Sequence, residues 1–284
     1  MQEAIKKADV LIEALPYIRE FHNKVVVIKY GGSILGEEKI RKGVLEDIVF
    51  MNYMGLKPVL VHGGGPNISD RMRATGKKTD FVDGMRVTDE QTLLVVEEEL
   101  KKLNDTIVKE LSELGGKAVG MSGKVDNLLL AEKKKAPIDL GLVGEVAAVN
   151  TKPVFAQLDQ DAICVILPMG IGKDGKTYNV NADEAAAKVA EALKAEKFVL
   201  LTNVKGIMRD ADDQNSFIST LTPKEAKALM DDKVIQSGMI PKVNACIHAL
   251  EKGVKKTHII DACIPHALLL EIFTDTGIGT EIVK

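Results

Sequence analysis

Tryptophan is absent from this 284-residue chain, and aromatic residues make up only 4% of it. A surface so poor in rings offers little on which bases can stack, which argues against single-stranded nucleic-acid binding. An excess of positive charge is missing as well. The formal net charge is −3 and the pI is near 6.0, so there is no electrostatic footprint for a duplex. Cysteine is scarce: Cys164, Cys246 and Cys263 are odd in number and far apart, and they provide neither a disulfide framework nor a metal-ligand spacing. His22, His248, His258 and His266 are too scattered for a metal cluster. No apolar run approaches the roughly 20 residues that span a bilayer. The opening MQEAIKKADVLIEALPYIRE sets acids inside its apolar pattern and lacks a signal-peptide core. Together these absences lead us to expect a soluble cytoplasmic protein with no membrane or nucleic-acid partner. Low-complexity segments and internal repeats are also missing. What remains is ordinary globular material, 45% apolar and 28% charged, long enough for two lobes or one large α/β domain.

Periodicity sets the order of elements. Ile5, Ala8, Ile12 and Leu15 recur every three to four residues and predict an amphipathic helix over 1–20, with Pro16 kinking it or starting a new turn. This helix precedes the first strand and reads as an appendage. Beyond it, strands and helices alternate. KVVVIKY, KPVLVH, AICVILPMG, KFVLLT and KTHIIDA read as strands. EEKIRKGVLEDIVFMNYMG reads as a helix ending at Gly55, and PNISDRMRATG as one with Pro66 at its start, where proline is tolerated. A long helix follows Thr88 or Asp89 as its cap. NADEAAAKVAEALKA, TPKEAKALMDD and PKVNACIHALEKG complete the helical set, with PHALLLEIF trailing the last strand. Residues 116–157 mix short β signals with turns and predict hairpins. Alternation of this kind implies an α/β fold, a mainly parallel sheet covered on both faces. A lobe boundary is expected near residue 195, with the sheet able to continue across it.

Two glycine clusters carry the chemistry. VVVIKYGGS (residues 25–33) runs a buried-looking strand into Lys29 and then loses its side chains. A buried ammonium is costly unless something negative meets it. VLVHGGGPNI places three glycines between a strand and a helix, where backbone N–H groups can face an anion. Loops at the carboxyl ends of neighbouring strands would share a ligand site. Two familiar phosphate motifs do not apply. GMSGKV lacks the first glycine and the Ser/Thr of a P-loop. Gly170, Gly172 and Gly175 match a dinucleotide fingerprint but run into KTYNVNAD rather than a helix, so they read as a turn. Arg86, in DGMRVTD, has the planar fork that binds carboxylates, although a surface salt bridge is the commoner use. Asn179, Asn181 and Asp183 crowd the start of a helix, where capping explains part of the pattern. Lys242 sits in the first turn of another helix, opposing its dipole. His62 abuts the glycines without a nucleophile beside it and reads as structural. Cations and glycine loops without a P-loop suit phosphoryl transfer, which needs positioning and charge more than a covalent catalyst. A carboxylate acceptor would explain why no general base stands out.

At KYGGS, VHGGGP, GMRVTD, VGMSGK, NVNAD, LLTNVKGI, SGMIPKVNA and HALLLEIFTDTGIGTEI the chain resembles the amino acid kinase family, over nearly its whole length. The glycine loops are general to that family; GMRVTD, NVNAD and the tail are more specific. The resemblance implies a three-layer αβα sandwich with a central, mainly parallel sheet, plus the N-terminal helix. It implies an oligomerisation helix over 1–20, an amino-acid-binding lobe over 21–195 and an ATP-binding lobe over 196–284. It further implies phosphorylation of the side-chain carboxylate of N-acetyl-L-glutamate by ATP in arginine biosynthesis, with Mg2+ carried by the nucleotide and no resident metal. Lys29 and Lys242 would stabilise the transition state and Asp183 would orient them. Gly32, Gly64 and Gly65 would donate N–H groups to phosphoryl and substrate oxygens. Arg86 would hold the α-carboxylate, and Asn179 the substrate's other polar groups. Thr202, Asn203, Val204, Lys205, Gly206 and Ile207, with Val234, Ile235 and Gln236, would line the ATP site. Asn203 departs from the Asp usual in such kinases. The extended N-terminus looks like that of arginine-inhibited hexamers, trimers of dimers, with Tyr17, Lys197, Glu271 and Gly279 as walls of the inhibitor site. A PII-type partner has no support in the residues. A kinase of N-acetyl-aminoadipate or of a carrier-linked amino acid, and a non-catalytic arginine sensor, are the competing readings. One extra methylene is discriminated by only about 1–3 kcal/mol.

Overall fold

The computed structural model describes every residue except 3, 4, 6–8, 10, 11, 83, 211, 212, 214, 215, 237, 275 and 276, and all side chains of the others but that of residue 33. Ala8, used above to define the N-terminal helix, lies outside the described residues. Ile5 and Ile12 are helical, and Pro16 starts a separate turn as the second residue of the helix Leu15–Phe21.

Val25–Tyr30 is rich in β-branched residues and forms a strand buried from Val26 onward. Lys57–His62 follows the same pattern. Strands buried on both faces belong in parallel sheets, and these two pair in parallel with Lys29 beside Val61. Val25–Tyr30 also pairs in parallel with Lys197–Thr202, so the sheet crosses the expected lobe boundary without a break. Its order is Thr220–Leu221, Thr280–Ile282, Lys256–Asp261, Lys197–Thr202, Val25–Tyr30, Lys57–His62, Ile163–Leu167, Ala118–Ser122. Thr280–Ile282 runs antiparallel to Lys256–Asp261; the other pairings are parallel. Four further strands, Thr177–Val180, Val143–Val149, Leu129–Lys133 and Met169–Gly172, close into a small ring.

Side chains alternate across a strand, and that period decides where Lys29 points. Val27 packs with Val59, Val61 and the helices Ala182–Ala192 and Met239–Glu251 in one layer. Val26, Ile28 and Tyr30 pack with the helices Glu38–Tyr53 and Glu90–Glu113 in the other. Lys29 therefore shares the Val27 face, beneath the helix Ala182–Ala192. Three layers, αβα, result.

The hairpins predicted over 116–157 are half present. Leu129–Lys133 and Val143–Val149 pair antiparallel, but Ala118–Ser122 joins the main sheet as its edge strand and Lys152–Leu158 is a helix. AVGMS is half-buried and interrupted by glycine, so it shows no apolar run. A Cβ at Gly120 would collide with the Asn104 side chain packed against that strand. Gly170 and Gly172 lie in the strand Met169–Gly172, and Gly175 sits in the tight turn that joins it to the antiparallel strand Thr177–Val180, so no helix follows the glycines. Asp89, rather than Thr88, caps the long helix by accepting from the Thr92 amide. Among the described residues, no helix is long and apolar enough to cross a membrane.

Candidate active site

Lys29 ends its strand 7% exposed, and Asp183 is 8% exposed. They meet beneath the helix Ala182–Ala192, with Lys29 Nζ 2.8 Å from Asp183 Oδ1. Lys242, in the first turn of Met239–Glu251, donates to Asp183 Oδ2 at 2.8 Å. One carboxylate thus holds two ammoniums brought from a strand and a helix far apart in sequence. Burial alone would raise the Asp183 carboxyl, but the two lysines overcome it and hold it down at about 2. Burial pushes the Lys29 ammonium below its ordinary value, Asp183 pulls it back up, and Lys242 lowers it again. The triad carries a surplus positive charge in a desolvated place, which an incoming anion would neutralise.

The glycine loops lie at the same sheet edge. Gly32 takes φ +83°, a left-handed conformation open to glycine at little cost. Gly64 lies so close to Leu100 that a Cβ would come within 2.8 Å of its Cδ2. Gly65 begins the helix Gly65–Ala74, whose first N–H groups lack intrahelical partners. Lys29, Gly32, Gly64, Gly65, Arg86, Asn179 and Asp183 all line one cleft of about 200 Å³. Seven residues from four separate segments were singled out on sequence grounds, and the fold brings them together.

Arg86 is 6% exposed. Its guanidinium donates to Gly65 O at 3.0 Å and Ser69 Oγ at 2.8 Å, and lies 4.6 Å from the centre of the Phe81 ring. Burial lowers its pKa. No carboxylate of the described residues pairs with it, so among them the surface salt bridge considered above is not seen, and the guanidinium's planar fork suits an acidic ligand. Asn179 donates to Thr88 Oγ1 at 3.1 Å, and Thr88 donates to Arg86 O at 2.7 Å. That chain of bonds fixes the Asn179 amide beside the arginine. Asn181 caps the helix by accepting from the Asp183 and Glu184 amides.

His62 is fully buried and held down to about 4 by that burial. Asn104 donates one amide proton toward its Nε2 and another to Val165 O. The Gly63 carbonyl lies 3.1 Å from Nδ1. This pattern fits a neutral ring with its proton on Nδ1, a structural role.

The remaining predicted residues fall outside that cleft. Thr202 closes the strand Lys197–Thr202 and is buried, donating toward Val204 O and Ile260 O. Asn203, Val204, Lys205 and Gln236 are exposed, Val234 is half-buried, and Gly206, Ile207 and Ile235 are buried. Residues 203–207 follow the carboxyl end of the strand Lys197–Thr202, the neighbour of Val25–Tyr30; residues 234–236 follow the helix Pro223–Asp231, where Ile235 packs in the core layer that holds Ile207. Tyr17, Lys197, Glu271 and Gly279 line a different cavity of about 390 Å³ at the far side of the sheet. Glu271 there accepts from the Ile278 and Gly279 amides, and His258 Nδ1 lies 2.6 Å from its Oε1. Sequence reasoning missed the apolar walls of the candidate cleft, Ile68, Phe81, Leu100 and Val143. They come from four segments and carry no motif, so no local signal marked them. His258, also missed, reads in sequence as one more strand residue.

Residues 24–261 match the amino acid kinase family. The chain belongs to that family. Acetylglutamate kinase of Petrotoga mobilis is 52% identical over 283 residues, covering 99% of this chain and 95% of the relative. Among solved structures, N-acetylglutamate synthase from Neisseria gonorrhoeae complexed with coenzyme A and N-acetyl-glutamate superposes with a TM-score of 0.87 at 30% identity. The match covers 98% of this chain and 63% of that one. The same enzyme complexed with coenzyme A and L-arginine gives 0.83 at 28% identity, covering 98% and 65%. The αβα sandwich expected of an amino acid kinase is the fold observed.

Proposed function

We propose that this chain transfers the γ-phosphoryl group of ATP to the side-chain carboxylate of N-acetyl-L-glutamate, forming N-acetyl-L-glutamyl 5-phosphate for arginine biosynthesis. The observation that carries the reading is the cleft itself. It has among its walls a buried Arg86 that no carboxylate of the described residues pairs with, and the Lys29–Asp183–Lys242 cluster beside its glycine loops. A dicarboxylate fits both features: one carboxylate on Arg86, the other among the lysines. The acetylglutamate kinases at about half identity support the choice.

The side-chain carboxylate attacks the γ-phosphorus, the bond to the β-bridging oxygen breaks, and ADP leaves. No proton moves, so no base is required. Lys29 and Lys242 supply charge to the migrating group, and N–H groups around Gly32, Gly64 and Gly65 supply donors that need no rearrangement. Asp183 keeps both ammoniums in place. Residues 21–195 hold the amino acid and 196–284 the nucleotide, with 202–207 and 234–236 around it. Among the described residues no three His, Cys, Asp or Glu side chains gather as a metal site, and we take Mg2+ to belong to the nucleotide's phosphates.

The assay is acyl-phosphate formation trapped with hydroxylamine on N-acetylglutamate, N-acetyl-aminoadipate, glutamate and aspartate. Strong preference for N-acetylglutamate is the expected result. Preference for N-acetyl-aminoadipate would move the chain to another carboxylate kinase, and no product on any acceptor would remove the function.

The second cavity favours arginine as inhibitor. Acidic Glu271 and Glu281 and aromatic Tyr17 line it, suiting a guanidinium and an ammonium. Ile5, Ile12 and Leu15 are 52%, 68% and 39% exposed, so the N-terminal helix presents an apolar face that a single chain does not bury. We assign that face to a neighbouring dimer in a hexamer. Deleting residues 1–20 should leave dimers that retain turnover and lose inhibition by arginine. Sedimentation of the truncated protein as a hexamer would disprove the assignment.

A further inference from the structure

The wall of the catalytic cleft that carries Val143 and Asn179 does not belong to the main sheet. Both residues sit in the small ring of strands, paired in parallel with each other. The phosphoryl end, Asp183 with its lysines, is anchored on the main sheet and the helix Ala182–Ala192. Something must fix one against the other. The chain itself crosses between them at Pro168 and at Asn181, and Val146, Tyr178 and Val180 of the ring pack in one apolar layer with Ala185 and Ala186 of that helix; such packing is non-directional, whereas a hydrogen-bonded link fixes a register.

The polar link is Glu184, the neighbour of Asp183 in the first helical turn. Its Oε1 accepts from the Val146 amide of the ring at 3.1 Å. Its Oε2 lies 3.1 Å from Lys134 Nζ, which also lies 3.1 Å from Glu145 Oε2. The Lys134 amide in turn donates to the Val143 carbonyl at 2.8 Å. Lys134 therefore holds the cleft-lining residue through its backbone and the Asp183 helix through its side chain. Behind this link lies a cavity of about 500 Å³ bounded by Lys134, Glu145, Glu184, Ala187 and His248.

We infer that Lys134 and Glu184 are positioning residues that set the distance between the acceptor-binding wall and the phosphoryl end, and so govern affinity for the acceptor carboxylate. The inference rests on the acceptor reading above. Its basis is geometric: misplacement of about 1 Å remote from the chemistry can cost up to 10²-fold, while a partly exposed ion pair adds little to stability.

The experiment measures kcat and both KM values for Lys134→Met, Glu184→Ala and Lys134→Arg, with thermal melting of each. Lys134→Met and Glu184→Ala should raise KM for N-acetylglutamate about tenfold, leave KM for ATP unchanged and alter kcat by less than about threefold. Lys134→Arg, which keeps the charge and the reach, should restore the acceptor KM. Unchanged acceptor KM in the first two variants overturns the proposal. So does a parallel rise in both KM values with a fall in melting temperature, the signature of general loosening. Absence of turnover by the unmodified chain would overturn the acceptor reading and the role of the Lys134–Glu184 link with it, an outcome distinct from an active enzyme with indifferent variants.

Discussion

Replacing Lys242 with alanine should lower kcat about 10²–10³-fold and leave the fold intact. Removing one preorganised donor from a developing negative charge costs roughly 2.7–4 kcal/mol of transition-state stabilisation. The structural cost is much smaller, because the Lys242 side chain is 23% exposed and Asp183 keeps Lys29. Exposed or partly exposed ion pairs contribute about 0–1 kcal/mol. The helix start itself offers no reason for a lysine, since a cation in the first turn opposes the dipole. A change in melting temperature of a few degrees with a collapse in kcat, and little change in either KM, is the expected pattern. Normal turnover in the alanine variant would remove Lys242 from the chemistry.

Asp183→Ala should be worse on both counts. It leaves Lys29 buried beside nothing negative, and breaking a buried pair from one side costs about 3–5 kcal/mol. Both lysines lose their common anchor, so kcat should fall by at least about 10²-fold. A specific control separates the two effects. Phosphate ions should raise the melting temperature of the variant more than that of the unmodified chain, because an anion can replace the missing carboxylate. Equal responses would mean that the lysines do not face the phosphate path. The pH dependence has a definite sign. Asp183 is held at about 2, below the ordinary 3.8. Its contribution to stability is therefore complete above about 3.8 and is lost as the pH falls through about 2. Acid titration of stability should show this component in the unmodified chain and lack it in Asp183→Asn.

Most of the polar residues that gather in the candidate cleft were legible because they break local rules. Lys29 ends a buried strand, Lys242 opposes a dipole, and glycines cluster where strands meet helices. Each costs stability locally, and that is what marks each as a candidate for ligand contact. Legibility failed where residues obey local rules. Leu100 is an ordinary apolar helix position, Val143 an ordinary strand position, and Ala118–Ser122 an edge strand too broken by glycine to show its period. The Lys134–Glu184 link was invisible for another reason: a lysine in KKK and a glutamate in a helix's first turn both look like solvated charge.

By itself, the sequence determined the alternation of strands and helices, the parallel character of the buried strands and the identity of the charged residues at their ends. Those follow from near-neighbour physics: apolar period, capping and the conformational range of glycine and proline. Tertiary structure alone decided that Lys29 and Lys242 share a single carboxylate, and that Arg86 has no acidic partner among the described residues. It also decided that the catalytic wall is tied across by Glu184. Each of these is a meeting of segments tens to hundreds of residues apart, set by sheet order and by the face on which alternation places Lys29. No pattern within a single segment encodes that.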